Sequence, residues 1–109
     1  IIAASELDTK LIMRPLRNTE RVLNNDAVEK VLEIEREKGP NTKIEDIVDL
    51  VGGVYPKVMQ DGDVGVGAWS CGMVAGLIHD NPTCKELIDR MMSEAEEIIN
   101  GRLSKFATA

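Results

Sequence analysis

The sequence has 109 residues, of which 43% are apolar and 29% charged, and its 13 basic and 19 acidic side chains give a formal net charge of −6. It contains no apolar run of about 18 residues that could span a membrane, and no basic stretch followed by an apolar one as in a signal peptide. Lys and Arg are not clustered, which argues against a nucleic-acid partner. The sequence thus predicts neither a membrane segment nor a nucleic-acid partner. We expect one small domain, or part of one.

The cysteine and histidine content argues against a metal site. Cys71 and Cys84 are too few for a disulfide framework, and the 12 residues between them match no zinc-binding pattern. We therefore expect a reducing, cytoplasmic location. His79, the single histidine, is expected to be a polar or capping residue at a helix end. The first residue is Ile1, whose bulk would not ordinarily permit removal of an initiator Met, so we expect a longer protein.

The first half of the chain predicts a short strand followed by a helix. The apolar run 11–13 is typical of a buried strand that Pro15 should end. From Asn25 or Asp26 as N-cap, apolar residues at helical spacing predict an amphipathic helix over 26–38, which Gly39 should terminate.

A second helix is predicted after Thr42. Thr42 and Glu45 have the spacing of a capping box, in which each side chain satisfies a backbone N–H group. The four apolar residues that follow at helical spacing form one face: Ile44, Ile47, Val48 and Val51. Gly52 and Gly53 should end this helix.

Residues 54–72 are rich in glycine, which permits positive φ angles and close approach of a ligand to the backbone. We therefore predict an irregular segment here, followed by one or two buried helical turns over 73–78. The last helix is predicted over 82–104, with Pro82 at its first position and Asp80, Asn81 or Thr83 as cap. It carries one continuous apolar stripe. The chain is thus expected to be mainly helical, with one or two short strands.

Two side chains of the glycine-rich segment could carry chemistry. Cys71 has no basic neighbour in the sequence that would favour its thiolate, so we expect it to pack in the core. Ser70 lacks the nucleophile elbow of serine hydrolases, because position 68 is Ala, but its hydroxyl can form a hydrogen bond with a ligand.

Two stretches together resemble the C-terminal third of the nitronate monooxygenase (2-nitropropane dioxygenase) family. They are SELDTKLIMRPLRNTERV at 5–22 and GDVGVGAWSCGMVAGLIHDNPT at 62–83. Residues 31–35 and 94–103 fit the same register. Many relatives have Ala-Gly-Gln where this sequence has Cys71, Gly72 and Met73, which leaves the substrate open.

The resemblance implies an FMN enzyme whose α/β fold is a (β/α)8 barrel with an inserted small α/β domain. Residues 1–56 would form part of the inserted substrate-binding domain, and residues 57–109 would return to the barrel. It also implies that Ser70 and Trp69 contact the substrate, and that four residues line the cofactor pocket: Gly67, Cys71, Gly72 and Met73. The family's catalytic histidine and its loops for the FMN phosphate would lie upstream of Ile1, so no catalytic residue is expected here, and the isolated chain should be inactive.

The implied function is that of a flavin-dependent oxidoreductase, foremost a nitronate monooxygenase that oxidises alkyl nitronates with O2. One alternative is an NAD(P)H-dependent quinone or enoyl reductase of the same fold. Another is a non-catalytic helical module that forms a homo-oligomer through exposed apolar helix faces.

Overall fold

The computed structural model describes residues 1–107, which fall into two compact units, Ile1–His79 and a second that begins at Asp80. In the first unit a 3₁₀ turn, Glu6–Asp8, leads into a two-stranded antiparallel sheet of β1 (Thr9–Ile12) and β2 (Glu20–Leu23). Thr9 lies opposite Leu23 and Ile12 opposite Glu20.

Strand β1 confirms the predicted strand but ends before Met13. Met13 has a φ of 60°, and its N–H donates to the Glu35 carboxylate at 2.5 Å instead of to the sheet. Strand β2 was not predicted from its own residues. It contains one fully buried side chain, Val22, and its pairing with β1 is what makes it a strand.

Helix α1 spans Asp26–Lys38, as predicted. The structure identifies Asn25 as the N-cap, because its side-chain oxygen accepts the N–H of Val28 at 3.0 Å. Gly39 follows with a φ of 53°, a conformation that favours glycine. The buried face of α1 belongs to a core of aliphatic residues and Met: Ile12, Met13, Val22, Val28, Val31, Ile47 and Ala68.

The predicted Thr42–Glu45 capping box is wrong. The Thr42 hydroxyl is buried and faces the preceding turn, where it donates to the carbonyl of Gly39 at 2.7 Å. Asp46, not Glu45, accepts the N–H of Lys43. The segment forms 3₁₀ turns at Gly39–Asn41 and Ile44–Asp46 and a single α-turn, α2 (Val48–Val51).

The predicted face is only partly buried: Ile47 is 1% exposed, whereas Ile44 and Val48 are 45% and 44% exposed. The end of the helix before Gly52 is confirmed.

The irregular segment predicted after Gly53 contains a helix, α3 (Tyr55–Asp61). Pro56 lies in the first turn of α3, and Val58 is its buried residue. Gly62 ends the helix with a left-handed φ of 72°. A 3₁₀ turn at Met73–Leu77 confirms the predicted helical turn, but only Ala75 is buried within it, so the predicted burial is wrong.

The second unit consists of α4 (Cys84–Ile98), a π-helical segment (Ile99–Leu103) and α5 (Ser104–Ala107). Thr83 is the N-cap and forms a capping box with Glu86, so Pro82 precedes the helix and is not its first residue. Arg90 pairs with Asp80 at 2.9 Å. In residues 1–107, no helix has the length and apolar character needed to cross a membrane.

Candidate functional site

The segment 67–72 is held against β2 by backbone hydrogen bonds. The N–H of Leu23 donates to the carbonyl of Trp69 at 3.3 Å, and the N–H of Cys71 donates to that of Arg21 at 3.0 Å. These bonds flank an antiparallel bridge between Val22 and Ser70. Side chains therefore alternate as on a strand: Trp69 and Cys71 are buried, and Ser70 between them is exposed.

Gly67 allows the segment to pass close to its neighbours. A Cβ at this position would lie 2.3 Å from Val54 Cγ1 and 2.7 Å from the Leu50 carbonyl oxygen. The next residue, Ala68, donates its N–H to that same Leu50 carbonyl at 2.8 Å. Absence of a side chain at 67 is therefore what lets the segment bond to the end of α2.

Two side chains fix the glycine-rich loop that precedes Ser70. Asn25, which caps α1, donates its side-chain amide to the carbonyls of Val64 and Gly67 at 3.1 and 3.0 Å. The Trp69 indole donates to the same Val64 carbonyl at 3.0 Å, and only 6% of this residue is exposed. The structure thus places Trp69 behind the segment, while its contact with a substrate stays a prediction.

Ser70 lies in a polar cluster with Tyr55 and Glu20. The Tyr55 hydroxyl oxygen lies 2.5 Å from Ser70 Oγ and accepts the backbone N–H of Ser70 at 2.9 Å. Ser70 Oγ also donates to Glu20 Oε1, and the Tyr55 hydroxyl lies 3.4 Å from the same oxygen. Strand β2, the first residue of α3 and the segment 67–72 thus each supply one polar group to a surface open to solvent.

The other predicted pocket residues differ in exposure. Cys71 is 5% exposed and packs with Val54, Val58, Trp69 and Ala75. Gly72 is the N-cap of the 3₁₀ turn, and Met73, the first residue of that turn, is 52% exposed. Their role in a cofactor pocket stays a prediction.

Tyr55 and Glu20 were not predicted as site residues from the sequence. Pro56 marks the start of α3 and could have indicated Tyr55, but the surrounding glycines favoured a loop. No local signal indicates Glu20, because its contacts come from residues 35 and 50 positions away. Within residues 1–107, His79 is exposed, and no three His, Cys, Asp or Glu residues are grouped so as to hold a metal ion.

Two solved structures are similar to this chain over nearly its whole length, whereas no protein-family model matches it. The structure of FabK from Thermotoga maritima superposes with a TM-score of 0.77 and 25% sequence identity, over 95% of this chain and 32% of that chain. The structure of its M276A mutant superposes with a TM-score of 0.69 and 21% identity, over 95% of this chain and 29% of that chain.

The chain therefore spans about a third of the length of the FabK chains that it matches. FabK has a TIM-barrel fold, and the helix-rich chain with two strands is consistent with part of such a fold.

Proposed function

We propose that this chain is part of a flavin-dependent oxidoreductase with a fold of the nitronate monooxygenase type. The observation that carries the proposal is the superposition on FabK, which includes 95% of this chain at a TM-score of 0.77. The motifs at 5–22 and 62–83, which resemble nitronate monooxygenases, support the same assignment.

Two reactions are supported equally. One is oxidation of an alkyl nitronate with O2, which the sequence motifs favour. The other is reduction of an enoyl substrate, which the likeness to FabK favours. A quinone reductase of the same fold is a variant of the second. In each case bound FMN would supply the electron transfer, and the protein would bind and orient the substrate.

The arrangement of residues 67–72 fits the wall of a ligand pocket. Ser70 and Met73 are exposed, whereas Trp69 and Cys71 are buried. Ser70 would contact the substrate, and Trp69 would keep the segment rigid through its bond to Val64. The groups that bind the FMN phosphate, and the catalytic histidine, would be supplied from outside these residues.

A chimera tests this proposal. The segment of Thermotoga maritima FabK that superposes on this chain is replaced by residues 1–109, and bound flavin is measured by absorbance after purification, with unmodified FabK as the control. We expect the chimera to retain flavin and to oxidise NAD(P)H in the presence of an enoyl thioester, or to oxidise propyl-2-nitronate. A chimera that is folded by circular dichroism but has no flavin would refute the proposal.

Replacement of Ser70 by Ala in the chimera tests the substrate contact. We expect KM to rise while bound flavin is unchanged, because the hydroxyl is exposed and its removal leaves the core intact. The matched control is Ser93→Ala, at an exposed position of α4. Equal KM values for the two variants would exclude Ser70 from the substrate site.

A further inference from the structure

The hydrogen-bond directions in the Glu20–Tyr55–Ser70 cluster follow from a count of its hydrogens. An ionised carboxylate only accepts, so the contact between Ser70 Oγ and Glu20 uses the single hydrogen of the Ser70 hydroxyl. The Tyr55 hydroxyl then donates to Ser70 Oγ, 2.5 Å away, or to Glu20 Oε1, 3.4 Å away, and both acceptors belong to the cluster. Tyr55 in turn accepts the backbone N–H of Ser70. The bonds run in one direction, from the backbone N–H through the hydroxyls to the carboxylate.

With these directions, the exposed side of the cluster offers a ligand only hydrogen-bond acceptors. Both hydroxyl hydrogens are used within the cluster, while Ser70 Oγ keeps at least one lone pair and the second oxygen of Glu20 keeps its own. Tyr55 is 42% exposed and Ser70 is exposed, so a ligand can reach these atoms. A ligand group that bonds here must bring its own N–H or O–H.

The negative charge of Glu20 also disfavours a ligand that offers an anionic oxygen. Its carboxylate bonds directly to Ser70 Oγ, so an anionic oxygen that approached Ser70 would meet a like charge across a few ångströms. Two unit charges about 4 Å apart in water repel by an amount that changes a binding constant about fivefold.

We propose that the Glu20–Tyr55–Ser70 cluster binds an uncharged group that donates an N–H or O–H, such as a carboxamide, and disfavours anionic oxygens such as those of a nitronate. Glu20 contributes to this preference by orienting the Ser70 hydroxyl, by its negative charge and by the carboxylate oxygen that does not bond to Ser70. The inference rests on the proposed function and narrows it, since it disfavours an alkyl nitronate as the group bound at Ser70.

Two probes of matched shape test the inference on the 109-residue chain. Propionamide offers N–H donors and propionate offers only anionic oxygens, and the backbone N–H signal of Ser70 in amide NMR spectra reports binding because it donates to Tyr55. We expect propionamide to shift this signal at a concentration at least about fivefold lower than propionate does. The inference would be overturned if both probes shifted the Ser70 N–H signal at the same concentration, or if neither probe shifted it.

A variant separates the role of Glu20 from a merely structural one. Glu20→Gln keeps the shape of the side chain but supplies an N–H2 donor and removes the charge. We expect the preference for propionamide to disappear, while the matched variant Glu33→Gln, on an exposed face of α1, retains it. A preference that persists in Glu20→Gln would count against the inference. Flavin content of the chimera is measured without either probe, so failure of the proposed function would be seen separately.

Discussion

Gly67 is the position where one added methyl group should matter most. A Cβ would lie 2.3 Å from Val54 Cγ1 and 2.7 Å from the Leu50 carbonyl, so either the segment or the end of α2 would have to move. We expect Gly67→Ala to lower the free energy of unfolding by about 1–3 kcal/mol, the usual cost of overpacking. Urea denaturation measures this change in the free energy of unfolding. Gly65→Ala is the control, because its Cβ would meet only Asp63 Oδ1 at 3.8 Å, and equal stability of the two variants would contradict the prediction.

Asn25 has two roles that a single substitution separates. Aspartate is as good an N-cap as asparagine, so Asn25→Asp should preserve the cap of α1. It removes the two donations to Val64 and Gly67, for which we expect a loss of about 1 kcal/mol per bond. Thermal and urea unfolding measure the loss, with Asn24→Asp as a control of equal charge. If Asn25→Asp were no less stable than the control, the side-chain amide would not hold the glycine-rich loop.

Helix α4 depends on its first turn in a way that acid should reveal. The Thr83 hydroxyl and backbone N–H both donate to the Glu86 carboxylate, at 2.7 and 2.8 Å, and these bonds lower the pKa of Glu86 below its ordinary value of 4.5. A lowered pKa means that the folded state binds the proton less tightly than the unfolded state does. The carboxylate therefore contributes its full stability above pH 4.5 and loses it as the pH falls through the lowered pKa.

The corresponding experiment compares wild type with Glu86→Gln by circular dichroism from about pH 6 to about pH 2. We expect the wild type to be more helical at the upper end and the difference to vanish at the lower end, since glutamine caps without a charge. Glu94→Gln, outside the capping box, should show no such pH-dependent difference. A difference between wild type and Glu86→Gln that is constant across this range would show that ionisation of Glu86 does not stabilise α4.

The helical elements differ in how far local sequence decides them. Helices α1 and α4 have the caps and the apolar spacing of stable helices. The bounds of α1 are as predicted, whereas α4 begins two residues later than predicted and ends at Ile98, where a π-helical segment follows. The segment after Thr42 has similar signals but forms 3₁₀ turns and one α-turn. The Thr42 hydroxyl donates to the carbonyl of Gly39, which the preceding turn brings within reach. The spacing of Thr42 and Glu45 does not indicate this alternative hydrogen bond.

At the scale of the whole molecule, the exposed apolar face of α4 predicts self-association. Leu87, Ile88, Met91 and Met92 are 40%, 57%, 55% and 59% exposed, and contiguous apolar surface of this kind usually marks an interaction site. We expect the 109-residue chain to form oligomers in sedimentation velocity experiments and Met91→Glu to weaken them. Glu96→Gln on the same helix should have no such effect. A wild type that stays monomeric at high concentration would contradict this prediction.

The division at residue 56, the contact of Trp69 with a substrate and the pocket roles of Gly67, Cys71, Gly72 and Met73 stay predictions. They concern groups that would lie outside the described residues, and the chain covers only 32% of FabK. The coarser expectation, a helix-rich chain with two strands that belongs to a barrel-type fold, agrees with the superposition.

The sequence by itself determined the elements whose causes are local. A helix such as α1 follows from a cap, an apolar stripe and a terminal glycine, all within a few residues of one another. Only the tertiary structure decided the position of β2 and the polar cluster on Ser70. Glu20 reaches Ser70 across 50 residues and Tyr55 reaches it across 15, because β2 and the first turn of α3 converge on the segment 67–72. Contacts between residues so distant in sequence depend on how the elements pack, which no local pattern of residues specifies.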